Sequence, residues 1–138
     1  MHCVEHGNRD RARNLRKPLW CGRTVGRSPP LYVKATASGL EAHMRAIACS
    51  ARLGIILYDI PGRTGIPITD ASVARLHESG TAIALKDANG DLSRIVRLRA
   101  LCGPGFPQYA GDDALCPTYL ALGGNGCVSG STIARGRF

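Results

Sequence analysis

Long apolar runs, paired metal-binding cysteines and aromatic residues are all scarce in this chain, and each shortage removes a class of answer. No stretch reaches the roughly 18 uncharged apolar residues that cross a bilayer, and the first residues lack the apolar core of a secretory signal. The expectation is a cytoplasmic protein with no membrane partner. The six cysteines, Cys3, Cys21, Cys49, Cys102, Cys116 and Cys127, include no CxxC pair and no metal-ligand spacing against the four histidines. That argues against zinc and against a disulfide framework, so reduced thiols and no metal are expected. Aromatics make up 5% of the residues, too few for the stacking platform of a single-strand binder. Acidic residues are also short, 10 against 18 Lys and Arg, for a net charge of +8. The excess is local: Arg9, Arg11, Arg13, Arg16, Lys17, Arg23 and Arg27 stand against Glu5 and Asp10. Residues 28–138 are therefore close to neutral, and nucleic acid is not the expected partner.

What is present is ordinary globular chemistry: 138 residues, 44% hydrophobic and 20% charged, enough for one domain or part of a larger one. Residues 1–27 show no periodicity and read as a disordered basic N-terminal segment. From Ser28 the pattern changes to an alternation of apolar β-type runs and helix-type segments, which makes 28–138 an α/β domain. The strand candidates are 54–60 (GIILYDI), 81–86 (TAIALK), 107–110 (PQYA) and 126–129 (GCVS). The helix candidates are 39–53, 69–79, 91–102 and 112–122; Thr69, Asp91 and Asp112 are placed to accept bonds from first-turn amides. Pro117 is compatible only with a helix start. In 91–102 the apolar positions Leu92, Ile95, Val96, Leu98 and Leu101 recur at helical spacing. Two strands are continuous apolar runs, which predicts a parallel sheet covered on both faces.

Each run ends in polar or glycine residues, and in a (β/α)8 barrel that edge carries the chemistry. Lys86 closes AIALK. Apolar neighbours penalise the charged form of an amine and leave a neutral nucleophile able to attack a carbonyl, although a lysine there also suits solvent or a pair with Asp87. Tyr58 can relay protons, or simply be an amphipathic strand residue. Arg63, in a Pro-Gly loop, offers a fork for a carboxylate, or a salt bridge to the rim.

The stretches PPLYVKATASGL, IILYDIPGRTG, IALKDANGDLSRIVRLRALCG, YAGDDAL and YLALGGNGCVS resemble, in order and spacing from Pro29 to Ser129, the dihydrodipicolinate synthase (4-hydroxy-tetrahydrodipicolinate synthase) family of Schiff-base lyases. The resemblance implies a TIM-barrel fold and condensation of pyruvate with L-aspartate 4-semialdehyde in lysine and diaminopimelate biosynthesis, with no cofactor. It implies Lys86 as the imine-forming lysine, Tyr58 as proton relay, and Tyr32 as a tyrosine offered to a neighbouring subunit in a homo-oligomer. Arg63 matches the residue holding the aldehyde substrate's carboxylate, and Gly111 and Val128 match backbone that lines the pocket. Arg63 also separates this resemblance from the related N-acetylneuraminate lyases, and it argues against an aldolase acting on 2-keto-3-deoxy sugar acids.

Several positions depart from the family pattern. Leu31 and Ala35 replace a tyrosine and a proline, Asp59 an asparagine, and Asp87 and Asn89 a glutamate and a threonine. Asp59 would add a carboxylate beside Tyr58 if it pointed inward. A barrel needs eight strands and about 250 residues, whereas four β/α units are legible here. They correspond to strands 5–8, a fragment of the barrel without the family's paired threonines, and weak or absent activity alone is the expectation. The alternatives are a related pyruvate-dependent aldolase for 2-keto-3-deoxy sugar acids and a non-catalytic barrel fragment.

Overall fold

The computed structural model describes residues 24–29 and 36–129, and in them the alternation becomes a single parallel sheet. Its strands are β1 (Thr24–Arg27), β2 (Gly54–Asp59), β3 (Ala82–Asp87), β4 (Gln108–Ala110) and β5 (Gly126–Cys127). They lie side by side in chain order, and every neighbouring pair is parallel. Between them run α1 (Ala37–Ala51), α2 (Pro61–Thr64), α3 (Asp70–Glu78), α4 (Arg94–Cys102) and α5 (Cys116–Ala121). Sequential parallel neighbours joined through helices are the construction of a β/α barrel wall.

Four of the strands are those expected; β1 is additional. It pairs with β2 from Thr24↔Gly54 to Arg27↔Leu57, so the sheet begins four residues inside the segment read as unpatterned. A four-residue strand containing a glycine and flanked by arginines is too short to stand out by hydrophobicity.

Helix starts follow side-chain chemistry. Thr36 Oγ1 accepts from the Gly39 amide at 3.2 Å, and Thr69 Oγ1 accepts from Ser72 at 3.2 Å. Asp91 and Asp112 do bond the amides two residues on, Ser93 at 3.0 Å and Ala114 at 2.9 Å. Those bonds close turns, and the helices proper begin later, at Arg94 and Cys116. In α5 the delay has a clear cause, since Pro117 occupies the first turn, where its missing N–H costs nothing. Pro61–Thr64, read as a loop, is one helical turn ended by Gly65 at φ 75°. At the end of α1, Arg52 takes the left-handed conformation (φ 53°) that glycine normally supplies.

The main core lies between one face of the sheet and the helices. Ile55, Leu57, Ala82 and Leu85 meet Leu40 and Met44 of α1, Val73 and Leu76 of α3, and Leu98 of α4. Glu41 ties α1 to α3: the Arg75 guanidinium donates to both carboxylate oxygens, and Ser72 Oγ donates to Oε1 at 2.8 Å. The expectation that both sheet faces are covered is not met among the described residues. Burial in β2 alternates, with Ile55, Leu57 and Asp59 buried and Gly54, Ile56 and Tyr58 only half-buried. A continuous apolar run suits a barrel strand because the second face looks into the barrel, and five strands of wall leave that side partly open. The stripe of α4 is also narrower than the spacing suggested. Ile95 and Leu98 are buried beside Arg94, whereas Val96 and Leu101 are 60% and 57% exposed. Finally, Cys49 is disulfide-bonded, against the expectation of six reduced thiols, while Cys102, Cys116 and Cys127 are free.

Candidate active site

Parallel register aligns one residue from each of four strands. Tyr58 pairs with Lys86, Lys86 with Tyr109, and Tyr109 with Gly126. Side chains one register step apart across a parallel sheet share a face. The Lys86 Nζ accordingly lies 4.0 Å from the centre of the Tyr58 ring, a cation–π distance worth about 0.5–1 kcal/mol when exposed and more when desolvated. Lys86, Tyr58 and Tyr109 are half-buried on the open side of the sheet, away from the helices. The Tyr109 ring passes over Gly126, where an added Cβ would sit 3.4 Å from it. Nζ meets the face of the Tyr58 ring rather than its hydroxyl.

Asp87 does not pair with Lys86. It points to the opposite face, as does Asp59, its own register partner. Both converge on Arg94, which is 1% exposed. The Arg94 Nη1 donates to Asp59 Oδ2 at 2.5 Å and to Asp87 Oδ1 at 3.3 Å, and Nε donates to Asp70 Oδ1 at 2.8 Å. Nη2 donates to the Ile68 carbonyl, and the Ile68 amide donates to Asp59 Oδ1 at 3.1 Å. Asp59 therefore adds no carboxylate beside Tyr58. One guanidinium behind the sheet instead clamps the residues that follow Tyr58 and Lys86. Burial pushes the Asp87 carboxyl up, only partly opposed by Arg94. Burial also works against the Arg94 charge, but the Asp87 and Asp59 carboxylates outweigh it and hold the guanidinium above its ordinary value. Asp87 Oδ2 and the Tyr119 hydroxyl are buried and without hydrogen-bond partners among the described residues, and both residues line one narrow cavity with Leu92, Ala110 and Leu115.

Arg63, Gly111 and Val128 fall on the same rim. Arg63 is exposed on α2, directly after β2, and makes no ion pair among the described residues. The turn that carries it is held by Thr64, whose Oγ1 donates to Ile60 and Ile66 carbonyls at 3.1 and 2.9 Å. Gly111 follows β4, and its amide donates to the Asp87 carbonyl at 2.6 Å. A Cβ there would lie 2.9 Å from the Ala88 methyl, so the approach of these two backbones requires glycine. Val128 follows β5 and donates to the Ala110 carbonyl at 2.9 Å. Tyr32 lies outside the described residues. The structure thus gathers Tyr58, Lys86, Gly111 and Val128 at adjacent strand ends, with Arg63 on the turn after β2.

Two participants were missed from sequence. Tyr109 could have been found by aligning strand ends, because it stands one residue before the end of its strand as Lys86 and Tyr58 do. Arg94 had a signal too, since two aspartates ending apolar strands require a cation.

Comparison with known proteins decides the ancestry. Residues 24–137 match the model of the dihydrodipicolinate synthetase family. The chain belongs to that family. The 4-hydroxy-tetrahydrodipicolinate synthase of Shewanella frigidimarina is 48% identical over 100 residues, covering 72% of this chain and 34% of the relative. Among solved structures, a dihydrodipicolinate synthase from Bacillus anthracis superposes with a TM-score of 0.74 at 36% identity, covering 78% of this chain and 37% of that one. The enzyme from Cyanidioschyzon merolae, solved with lysine bound, gives 0.70 at 44% identity, covering 75% and 36%. The chain spans about a third of the length of the relatives it matches. Its sheet is thus part of a TIM barrel of the dihydrodipicolinate synthetase family, a family of lyases. No helix among the described residues is long and apolar enough to cross a membrane.

Proposed function

We propose that this chain is the lysine-bearing section of a Schiff-base lyase that condenses pyruvate with L-aspartate 4-semialdehyde, with β2–β5 as barrel strands 5–8 and β1 as the strand before them. The observation that carries the reading is the registered pair Tyr58 and Lys86, with Nζ 4.0 Å from the phenol ring on the open side of the sheet. In this reading the Lys86 amine gives up its proton and adds to C2 of pyruvate, and loss of water gives the imine. A proton leaves C3, and the resulting enamine attacks the aldehyde carbon of the second substrate. The product's amino group then displaces Lys86 from C2 as the ring closes, regenerating the free amine. Tyr58 moves protons in imine formation and release. Arg63, exposed and without an ion pair among the described residues, receives the aldehyde substrate's carboxylate. The backbone at Gly111 and Val128 bounds the pyruvyl group, and Tyr32 serves a neighbouring copy in a cytoplasmic homo-oligomer. The Pro-Gly-Arg-Thr turn supports this acceptor over 2-keto-3-deoxy sugar acids.

A second reading, a non-catalytic barrel section, is favoured by the same sheet's partly open face and by the one-third coverage of the relatives. Exchange of the pyruvate methyl protons for deuterium, followed by NMR, separates the two. Exchange above buffer background that disappears in Lys86→Ala supports the lyase. A folded chain that exchanges no faster than buffer leaves the non-catalytic reading.

A further inference from the structure

Two of the three free cysteines among the described residues meet at the C-terminal end of the strands. Cys116 opens α5 and Cys127 closes β5. Both are half-buried, and both pack against the cluster of Ile95, Ala110 and Tyr119. Cys116 is one of the neighbours that raise the Cys127 thiol, which puts the two sulfurs beside one another on that cluster. The Cys127 thiol also donates to Asp113 Oδ1 at 3.5 Å, and Ser129 Oγ donates to the other oxygen of the same carboxylate at 2.8 Å. The sulfur of Cys127 is thereby held between Asp113 and Cys116. Cys102 differs: it packs against the separate helix-side core and has no thiol beside it among the described residues. Neither Cys116 nor Cys127 has a part in the lyase chemistry.

We propose that Cys116 and Cys127 form a vicinal dithiol which small-molecule disulfides oxidise to an intrachain bridge, fastening β5 to α5 beside Val128. The Cys116 sulfur, the one Asp113 does not hold, loses its proton to solvent and attacks one sulfur of an oxidised disulfide of the glutathione type. The small molecule's S–S bond breaks, one thiol leaves, and Cys116 carries a mixed disulfide. Cys127 then loses its proton, attacks the Cys116 sulfur and expels the second thiol. Two protein thiols are oxidised, and one small disulfide is reduced to two thiols. Burial, the Cys116 contact and Asp113 together push the Cys127 thiol up to about 12, which suits it to the slower, resolving step rather than the first attack.

The test treats the full chain with excess oxidised glutathione in mildly alkaline buffer, then maps its peptides without reduction. The expected result is a Cys116–Cys127 cross-linked peptide with Cys102 still open to alkylation. Cys127→Ser should stop with glutathione on Cys116, and Cys116→Ser should react roughly tenfold more slowly. Circular dichroism on each variant reports whether it folds. Stable glutathione on either wild-type cysteine without a cross-link overturns the proposal. So does the absence of reaction at both, in protein whose thiols react once urea unfolds it.

Discussion

Replacing Arg94 by leucine removes the one cation that three carboxylates share. Asp59 is fully buried and Asp87 nearly so, so both would keep their desolvation while losing the charge that offsets it. Breaking a buried pair from one side costs about 3–5 kcal/mol, a large share of the roughly 5–15 kcal/mol that holds a domain folded. With a urea slope of about 2 kcal/mol per molar, a loss of about 4 kcal/mol lowers the unfolding midpoint by about 2 M. The assay is urea unfolding followed by circular dichroism. Two controls sharpen it. Arg75→Ala takes a half-exposed guanidinium from one nearly buried carboxylate, Glu41, which Ser72 still bonds, and should move the midpoint less. The double variant Arg94→Leu/Asp59→Asn should recover part of the loss, because one of the stranded charges is gone. Acidification should narrow the deficit as well, since burial already raises the Asp87 carboxyl and makes it ready to take a proton. An Arg94→Leu midpoint within about 0.3 M of the parent would refute the view that this guanidinium holds the ends of β2 and β3 together.

Asp87→Asn should change the pH dependence of stability. A raised carboxyl means that the folded state binds the proton more tightly than the unfolded state, so stability falls as pH rises from the ordinary value of 3.8 through the folded one; the variant's urea midpoints should lack that decline. Gly111→Ala forces a methyl to within 2.9 Å of Ala88 and should destabilise by about 1–3 kcal/mol in the same assay. Arg52→Gly relieves a left-handed arginine at an exposed helix end and should stabilise by about 0.5–1 kcal/mol, read as a rise in midpoint. Tyr58→Phe keeps the ring under Nζ but removes the hydroxyl. It should leave stability nearly unchanged while slowing pyruvate methyl exchange by roughly 10²-fold or more.

Strand positions were legible because apolar runs bounded by Gly, Pro and Asp are strong local signals, and two continuous runs pointed to parallel pairing, although the second face is less covered than they implied. The faces were not. In a run such as GIILYD every residue suits burial, so hydrophobicity cannot tell that Asp59 turns towards α4 while Tyr58 turns away; only the pleat and Arg94 settle it. The same blindness hid Arg94, which sits among LSRIVRL as one basic residue in a basic segment, and it overstated the α4 stripe by counting Val96 and Leu101. Helix starts at 91 and 112 were misplaced because an aspartate bonding an amide two residues on serves a turn as well as a cap. Lys86 and Tyr58 were legible as polar residues near the ends of recognisable runs, whereas Gly111 and Val128 were singled out only by the family resemblance. Tyr109 escaped because nothing local distinguishes it from a strand aromatic; its place beside Lys86 exists only in the register between β3 and β4.

The central claim is that Lys86 is an imine-forming amine, and reductive trapping addresses it most directly. The full chain is incubated with pyruvate and borohydride, its intact mass is measured, and the modified peptide is mapped beside a Lys86→Ala control. The account predicts one reduced pyruvyl adduct, confined to Lys86 and absent from the control. No adduct on a chain that circular dichroism shows to be folded, or an adduct that persists in Lys86→Ala, would contradict it.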